Sequence, residues 1–265
     1  MRSYEGYVLD VDGVLVRGGE TIPGAAEAVA ALQERANVVV LTNNSTRSRQ
    51  GLSARLAAGG IDVARDRIVT SASVAATWIL AHHGRRRVAV LGEEGLQEEL
   101  SDQGHTVVSL GEDAEWLVVG MDRGLSYDRV AEATMTLRRG ARLLATNDDA
   151  TFPTLKGPVP GAGAVVGALR GAGYDPERVV GKPNEDAFDE ALRVLGEKRA
   201  DVLAVGDRLE TDVAGALRAR VDIALVLTGI AEEPGAETAP LPTWVAHDIR
   251  AVARGDMRPV GGGGG

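Results

Sequence analysis

The 265-residue sequence contains no cysteine, which excludes a disulfide framework, thiolate metal centres and cysteine nucleophiles. It has no apolar stretch of the roughly 20 residues that a membrane-spanning helix needs, and residues 1 to 10 lack the basic start and apolar core of a secretory leader. The expectation is a soluble, cytoplasmic protein with no membrane partner. Positive charge is outnumbered, with 29 basic residues against 38 acidic ones. The formal net charge of -9 argues against a broad nucleic-acid surface, because such surfaces neutralise phosphates with clustered lysine and arginine. The run Arg85-Arg86-Arg87 reads as a solvated loop before a strand. Lysine is rarer still: of 29 basic residues only Lys156, Lys182 and Lys198 are lysines, so a lysine in a polar turn invites a question about its role. What remains, 44% hydrophobic and 25% charged, is the composition of a globular chain with enough length for one large domain or two ordinary ones.

The apolar runs are short and end in polar turns. Tyr7-Val8-Leu9 reads as the end of a strand buried on both faces, and Asp10-Val11-Asp12-Gly13 follows it. Two acids leaving a buried strand are well placed for chemistry at the carboxyl edge of an open α/β sheet. On its own, Asp-x-Asp-Gly is equally the composition of a solvated turn. A helix is expected over about 25–35, after Ile22-Pro23-Gly24. Val38-Val39-Val40-Leu41 is a second strand, running into Thr42-Asn43-Asn44-Ser45-Thr46 and then a helix carrying Arg47, Arg49 and Arg55. Ser45 or Thr46 can cap that helix, whose first amides suit an anion. Later, strand Val179-Val180 leads to Gly181-Lys182-Pro183, where the proline keeps Lys182 out of a helix. Val202-Leu203-Ala204-Val205 leads to Gly206-Asp207-Arg208-Leu209-Glu210-Thr211-Asp212. Ala224-Leu225-Val226-Leu227 is a fifth core strand ending at Thr228-Gly229, and the remainder, to Gly261–Gly265, reads as loop and flexible tail.

Between these lies a second α/β pattern. Strands are expected at 88–92, 106–108, 116–119 and 142–145, with helices over 95–100 and 127–139, and the proline-rich Gly157-Pro158-Val159-Pro160-Gly161 interrupts the pattern before a helix over 164–170. The fold class is therefore α/β: a doubly wound parallel sheet over 1–83 and 173–265, with a smaller inserted α/β domain over 84–172. Parallel strands in one sheet present their carboxyl ends along one edge. Asp10, Asp12, Thr42 and its neighbours, Asp207 and Asp212 should converge there, with Lys182 on a loop beside them.

The order Asp10-x-Asp12-Gly13, Thr42-Asn43-Asn44, Gly181-Lys182-Pro183 and Gly206-Asp207-x4-Asp212 resembles the haloacid dehalogenase (HAD) superfamily of phosphohydrolases. The long insertion resembles its class IIA branch, which includes NagD-like and p-nitrophenyl phosphatase-like enzymes, and Thr146-Asn147-x-Asp149 with Pro160-Gly161-Ala162-Gly163 resembles that branch's cap, of C2 type. The resemblance covers most of the chain. It implies a Mg²⁺-dependent phosphatase for a small phosphorylated metabolite such as a sugar phosphate, a nucleotide, phosphoglycolate or p-nitrophenyl phosphate, and caps of this branch often mediate homodimers. By the same resemblance Asp10 is the nucleophile, forming an aspartyl phosphate, and Asp12 is the proton shuttle. Asp10, Asp207 and the Asp12 backbone carbonyl bind the metal. Thr42, Asn43, Asn44 and Lys182 hold the phosphoryl group, and Asp212 orients Lys182 or a metal-bound water. Asn147 and Asp149 divide between a turn and a substrate-facing cap loop.

Other motifs fail on spacing. An EF-hand loop from Asp10 would need an acid or asparagine at Val14, glycine at Leu15 and glutamate at Thr21. A P-loop ending at Gly181-Lys182 would need serine or threonine in place of Pro183, and Gly161-x-Gly163-x-x-x-Gly167 misses the dinucleotide spacing by one residue. A phosphotransferase or phosphomutase shares the expected chemistry and differs in the acceptor. A non-enzymatic phosphate-binding or phosphorylatable regulator is the rival from another class, against which motif order and the insertion argue. A dehalogenase would have no task for Asp12 and the metal acids. His82 and His83, paired at a helix end, read as a solvated last turn.

Overall fold

Gly6–Leu9 is buried at all four positions, as a strand with neighbours on both sides must be. In the computed structural model, which describes residues 3–154, 156–234 and 239–260, it pairs in parallel with Asn37–Thr42 on one side and Val202–Gly206 on the other. The sheet has seven strands in the order Arg258–Pro259, Trp244–Ala246, Asp222–Val226, Val202–Gly206, Gly6–Leu9, Asn37–Thr42, Ile68–Thr70. The nucleophile candidate thus leaves a central strand. Helix Glu185–Leu195 buries Ala187, Phe188, Ala191, Leu192 and Leu195 at helical spacing and packs on Gly6–Leu9 and Asn37–Thr42, while Ala25–Gln33 packs on Ile249–Arg254.

Contacts divide the chain into one unit of residues 1–42, 53–69 and 182–265 and another of residues 43–52 and 70–181. The second unit has its own five-stranded parallel sheet, ordered Arg178–Val179, Arg142–Ala145, Trp116–Val119, Arg87–Leu91, Thr106–Val108. Its core is built on Leu91, Leu117, Val119, Leu143, Val166 and Leu169. Among the described residues no helix is long and apolar enough to cross a membrane.

Two elements that the sequence reading places with the first unit find their partners in the second. Helix Ser71–His83 packs on Glu94–Asp102, its Trp78 meets Trp116 edge-on, and the buried His105 donates from Nε2 to the Ala76 carbonyl at 3.0 Å. Val179 pairs with Ala145, not with a strand of the seven-stranded sheet. Both are apolar enough for either sheet, so composition could not choose between them. His82 and His83 lie in the last turn of that helix as read, and His82 stacks on Trp78 at 4.5 Å.

Three local expectations are also corrected. Gly157–Pro160 does not merely break the pattern; it pairs antiparallel with Thr151–Thr154. Proline is tolerated there because a two-stranded ribbon leaves each strand with a free edge. The helix after Thr42 begins at Arg49, past Ser45 and Thr46, and Ser48 Oγ accepts from the Gly51 amide at 3.3 Å. Finally, the region after Thr228 contains strand Trp244–Ala246, helix Ile249–Arg254 and strand Arg258–Pro259. Asp248 caps that helix by accepting from the Ala251 amide at 2.9 Å, an Asp at N-cap that the sequence does display. The Gly261–Gly265 tail lies outside the described residues.

Candidate active site

Asp10 sits at the carboxyl end of the central strand, its amide donating to the Val205 carbonyl at 2.9 Å, and it is buried. Beyond it the chain coils tightly. The amides of Leu15 and Val16 both reach the Val11 carbonyl at 2.9 Å, and the Gly13 amide reaches the Val16 carbonyl at 2.7 Å. Gly13 has φ +84°, and a Cβ there would run into the Asp207 carboxylate, so this turn admits only glycine on two independent grounds. Asp12, half-buried on the same turn, has its carboxyl pushed up by burial, with Lys182, Arg208 and Arg55 pulling the other way.

Lys182 is 4% exposed, and its Nζ donates to Asp10 Oδ1 at 2.6 Å, Asp212 Oδ1 at 2.7 Å and the Leu41 carbonyl at 3.4 Å. Burial alone would drive off the Lys182 proton; the two carboxylates more than offset it and hold the ammonium charged. Asp212 lies on a π-helical turn, Leu209–Val213, that follows strand Val202–Gly206. Its Oδ2 accepts from the amides of Asp207 and Arg208 at 3.2 and 3.1 Å. Both Asp212 oxygens are therefore engaged within the protein. Thr42 is buried at the end of its strand, in the same unit.

Asp207 differs from Asp212. One oxygen, Oδ2, accepts from the Ile230 amide at 2.9 Å; the other, Oδ1, is buried and has no hydrogen-bond partner. Buried polar atoms are nearly always satisfied, so an orphaned carboxylate oxygen in a site calls for a missing cation or proton. Burial, then repulsion from Asp212, raises the Asp207 carboxyl to about 6, and burial raises Asp10 well above the usual carboxylate range against the pull of Lys182. Asp10, Asp207 and Asp212 each offer an oxygen within 4.8 Å of the others. Three carboxylates share one ammonium. A hard divalent cation fits that donor set, which is all oxygen and short of positive charge.

The remaining expected residues gather in the second unit. The Asn43 side-chain amide donates to both Asp149 carboxylate oxygens, at 3.2 and 3.0 Å. The Asn43 carbonyl accepts from Asn147 Nδ2 at 2.8 Å and from Ser71 Oγ at 2.6 Å. Asn44 Oδ1 accepts from the Thr46 amide and hydroxyl, both at 2.8 Å, which is an Asx turn. Asn147, 3% exposed, and Asp149 thus brace the turn that follows Thr42. Sequence reasoning missed Ser71 and that bracing role, since nothing in the local pattern pairs positions about 100 apart. It also passed over Thr228, whose place at a strand's carboxyl end was the available signal.

Known proteins bear on this arrangement. Residues 7–106 match the family model described as haloacid dehalogenase-like hydrolase, and residues 179–252 match one described as HAD-hydrolase-like. The chain is 34% identical over 258 residues to the 5'-nucleotidase YutF of Bacillus subtilis (strain 168), covering 93% of this chain and 100% of that protein. It is 33% identical over 259 residues to an acid sugar phosphatase of Staphylococcus saprophyticus, covering 96% and 98%. The solved structure of a p-nitrophenyl phosphatase from Archaeoglobus fulgidus superposes with a TM-score of 0.89 at 35% identity, over 96% of this chain and 100% of that one. Such identity along nearly the full length of each protein, carried on one shared fold, means that the chain belongs to the haloacid dehalogenase superfamily of hydrolases.

Proposed function

We propose that this chain is a cytoplasmic, Mg²⁺-dependent phosphatase that hydrolyses small phosphomonoesters through an aspartyl phosphate on Asp10. The observation that carries the reading is the buried Asp10 carboxylate, bonded to Lys182 and sharing an oxygen cluster with Asp207, whose Oδ1 is buried without a hydrogen-bond partner. Asp10, Asp207 and the Asp12 backbone carbonyl would hold the metal, because Asp212 already spends both oxygens on Lys182 and two amides. When bound, a divalent cation neutralises the charge between an anionic nucleophile and a phosphate dianion.

The protein's own groups do the rest. An Asp10 oxygen forms a bond to phosphorus as the bond to the leaving oxygen breaks, and Asp12 donates its proton to that oxygen. The raised Asp12 pKa supports this role, since a carboxyl must hold its proton near the working pH to give it up. Water then attacks phosphorus, losing a proton to Asp12, and the bond to Asp10 breaks with release of phosphate. Lys182 stays charged throughout and stabilises the negative charge on the phosphoryl oxygens, which the Thr42 hydroxyl and the Asn43 amide also hold. The second unit serves as the cap that excludes bulky substrates and as the homodimer interface, which light scattering of the purified protein tests.

The names borne by relatives, a nucleotidase, a sugar phosphatase and a p-nitrophenyl phosphatase, support small monoesters as the substrate class. Purified protein should release phosphate from p-nitrophenyl phosphate, lose that activity to a chelator and regain it with Mg²⁺. Turnover that survives thorough chelation would remove the metal from the mechanism, and transfer of label to an added sugar would make the chain a phosphotransferase. A panel of sugar phosphates, nucleotides and phosphoglycolate, ranked by kcat/KM, then names the substrate.

The Asp207 carboxyl, at about 6 in the metal-free protein, gives the pH dependence a sign. Below that value it holds a proton that the cation must displace; above it that carboxyl is already ionised. Calorimetric Mg²⁺ affinity should therefore climb by about tenfold in all between pH 5 and 7 for that one proton, the rise flattening above about 6. An affinity that is level across this range would mean that Asp207 is not a ligand.

A further inference from the structure

Strand Asp222–Val226 ends beside the site, and the four residues Thr228 to Ala231 touch it at every step. The Thr228 hydroxyl donates to the Gly13 carbonyl at 2.6 Å, and the Thr228 carbonyl accepts from Arg17 Nη1 at 3.2 Å. Gly229 lies so close to Asp207 that a Cβ on it would overlap the carboxylate. The Ile230 amide donates to Asp207 Oδ2 at 2.9 Å, and the Ala231 amide to the Asp207 main-chain carbonyl at 3.1 Å. Asp207 is thus gripped at its backbone and at one oxygen by a segment whose own anchor, through Thr228, is the turn that carries Asp12 and Gly13.

This has a consequence for ligand placement. A carboxylate with one oxygen held by an amide can rotate only by breaking that bond, so its second oxygen, the orphaned Oδ1, points in one fixed direction. The direction is set by where the Ile230 amide lies, and that amide belongs to a loop, which by itself would be mobile. Thr228 removes this freedom by tying the loop to the Gly13 carbonyl, one residue from Asp12. Strand pairing fixes the backbones of Asp10 and Asp207, since Gly6–Leu9 and Val202–Gly206 are in register. It does not fix the Asp207 side chain or the turn after Asp10. Thr228 couples the two.

We propose that Thr228 is a positioning residue of the metal site: its hydroxyl, bonded to the Gly13 carbonyl, sets the loop that aims Asp207 and holds the Asp12–Gly13 turn at a fixed distance from it. The inference rests on the metal-dependent reading above. Thr228 touches neither the metal nor substrate; its effect passes through Asp207 and the turn, and so appears first in metal affinity. Partners that orient metal ligands typically account for 10–100-fold in affinity.

Thr228→Val keeps the shape and removes the hydroxyl; Thr228→Ser keeps the hydroxyl and removes the methyl. Binding of Mg²⁺ to the substrate-free proteins is measured by calorimetry, alongside the Mg²⁺ concentration for half-maximal turnover and the unfolding midpoint without metal. Thr228→Val is expected to weaken Mg²⁺ about tenfold in both assays, with kcat at saturating Mg²⁺ much less affected. Thr228→Ser restores the affinity. Arg17→Ala, which releases the Thr228 carbonyl at an exposed position, shifts affinity the same way by a smaller factor and serves if Thr228→Val does not fold. Affinity within twofold of wild type in Thr228→Val, equal weakening in Val and Ser, or weakening that tracks a fallen metal-free midpoint would each overturn the role of Thr228. A wild-type protein that neither binds nor needs Mg²⁺ would instead overturn the metal reading itself.

Discussion

Asp10→Asn is expected to lower kcat on p-nitrophenyl phosphate by about 10⁴-fold or more, the scale on which loss of a covalent nucleophile is felt, without weakening the fold. The two halves of that expectation come from one fact. The Asp10 carboxyl is buried and its pKa stands well above the usual range, burial outweighing the Lys182 ammonium beside it. A carboxyl whose folded pKa exceeds its unfolded one is destabilising when ionised, so the folded state loses ground as pH rises through the gap between the two. Asparagine is neutral and nearly isosteric, and removes that burden. At pH 7 and without metal, the variant should melt no lower than wild type. Residual turnover above about 1% of wild type would show that phosphoryl transfer does not pass through Asp10; a large fall in melting point would show that its charge is structural.

Lys182→Met should damage both properties. Its ammonium is held within 2.7 Å of both Asp10 and Asp212 and is almost wholly buried. Removing one member of such a group leaves buried carboxylates uncompensated, a loss of about 3–5 kcal/mol, and deletes the cation proposed to stabilise the phosphoryl oxygens, which on that proposal is a loss of about 10²–10³ in kcat. The stability deficit has a pH signature. Without Lys182 the Asp10 and Asp207 carboxyls rise further, so the folded variant binds protons more tightly than the unfolded chain does, and its deficit shrinks as pH falls toward about 6, where Asp207 stands in wild type. Denaturant titrations at pH 5 and 8 should show the gap to wild type closing at the lower value. A deficit that is constant over that range would mean that packing of the aliphatic stem, not charge, is what Lys182 contributes.

The two variants test residues that were legible in the sequence, and the reason is physical. A buried parallel strand announces itself as a short apolar run, and the polar residue that ends it must lie at the carboxyl edge. Tyr7-Val8-Leu9, Val38 to Leu41 and Val202 to Val205 each did so; Asp10 and Thr42 followed at once, and Asp207 followed after Gly206. The division between units was harder to read. Helix Ser71–His83 and strand Arg178–Val179 carry apolar faces that suit any sheet, and only the partners they found, Trp116 and Ala145 among them, decide which core they complete. The hairpin of Thr151–Thr154 with Gly157–Pro160 was hidden by prolines that argue against strands in general but not on a free edge.

The long-range contacts around the site were beyond the sequence for a different reason. Asn147 and Asp149 read equally as a turn or as a substrate-facing cap loop, and only the fold brings them against Asn43. Thr228 looks like the end of a strand, and only the fold sets its hydroxyl on the Gly13 carbonyl, 215 positions away. By itself, then, the sequence determined the chemistry available: which acids, which lysine, in what order, on which strand ends. The tertiary structure decided how that chemistry is poised. It left one Asp207 oxygen bare while satisfying both of Asp212's, because hydrogen bonds between distant segments depend on distance and angle, and neither is written in residue order.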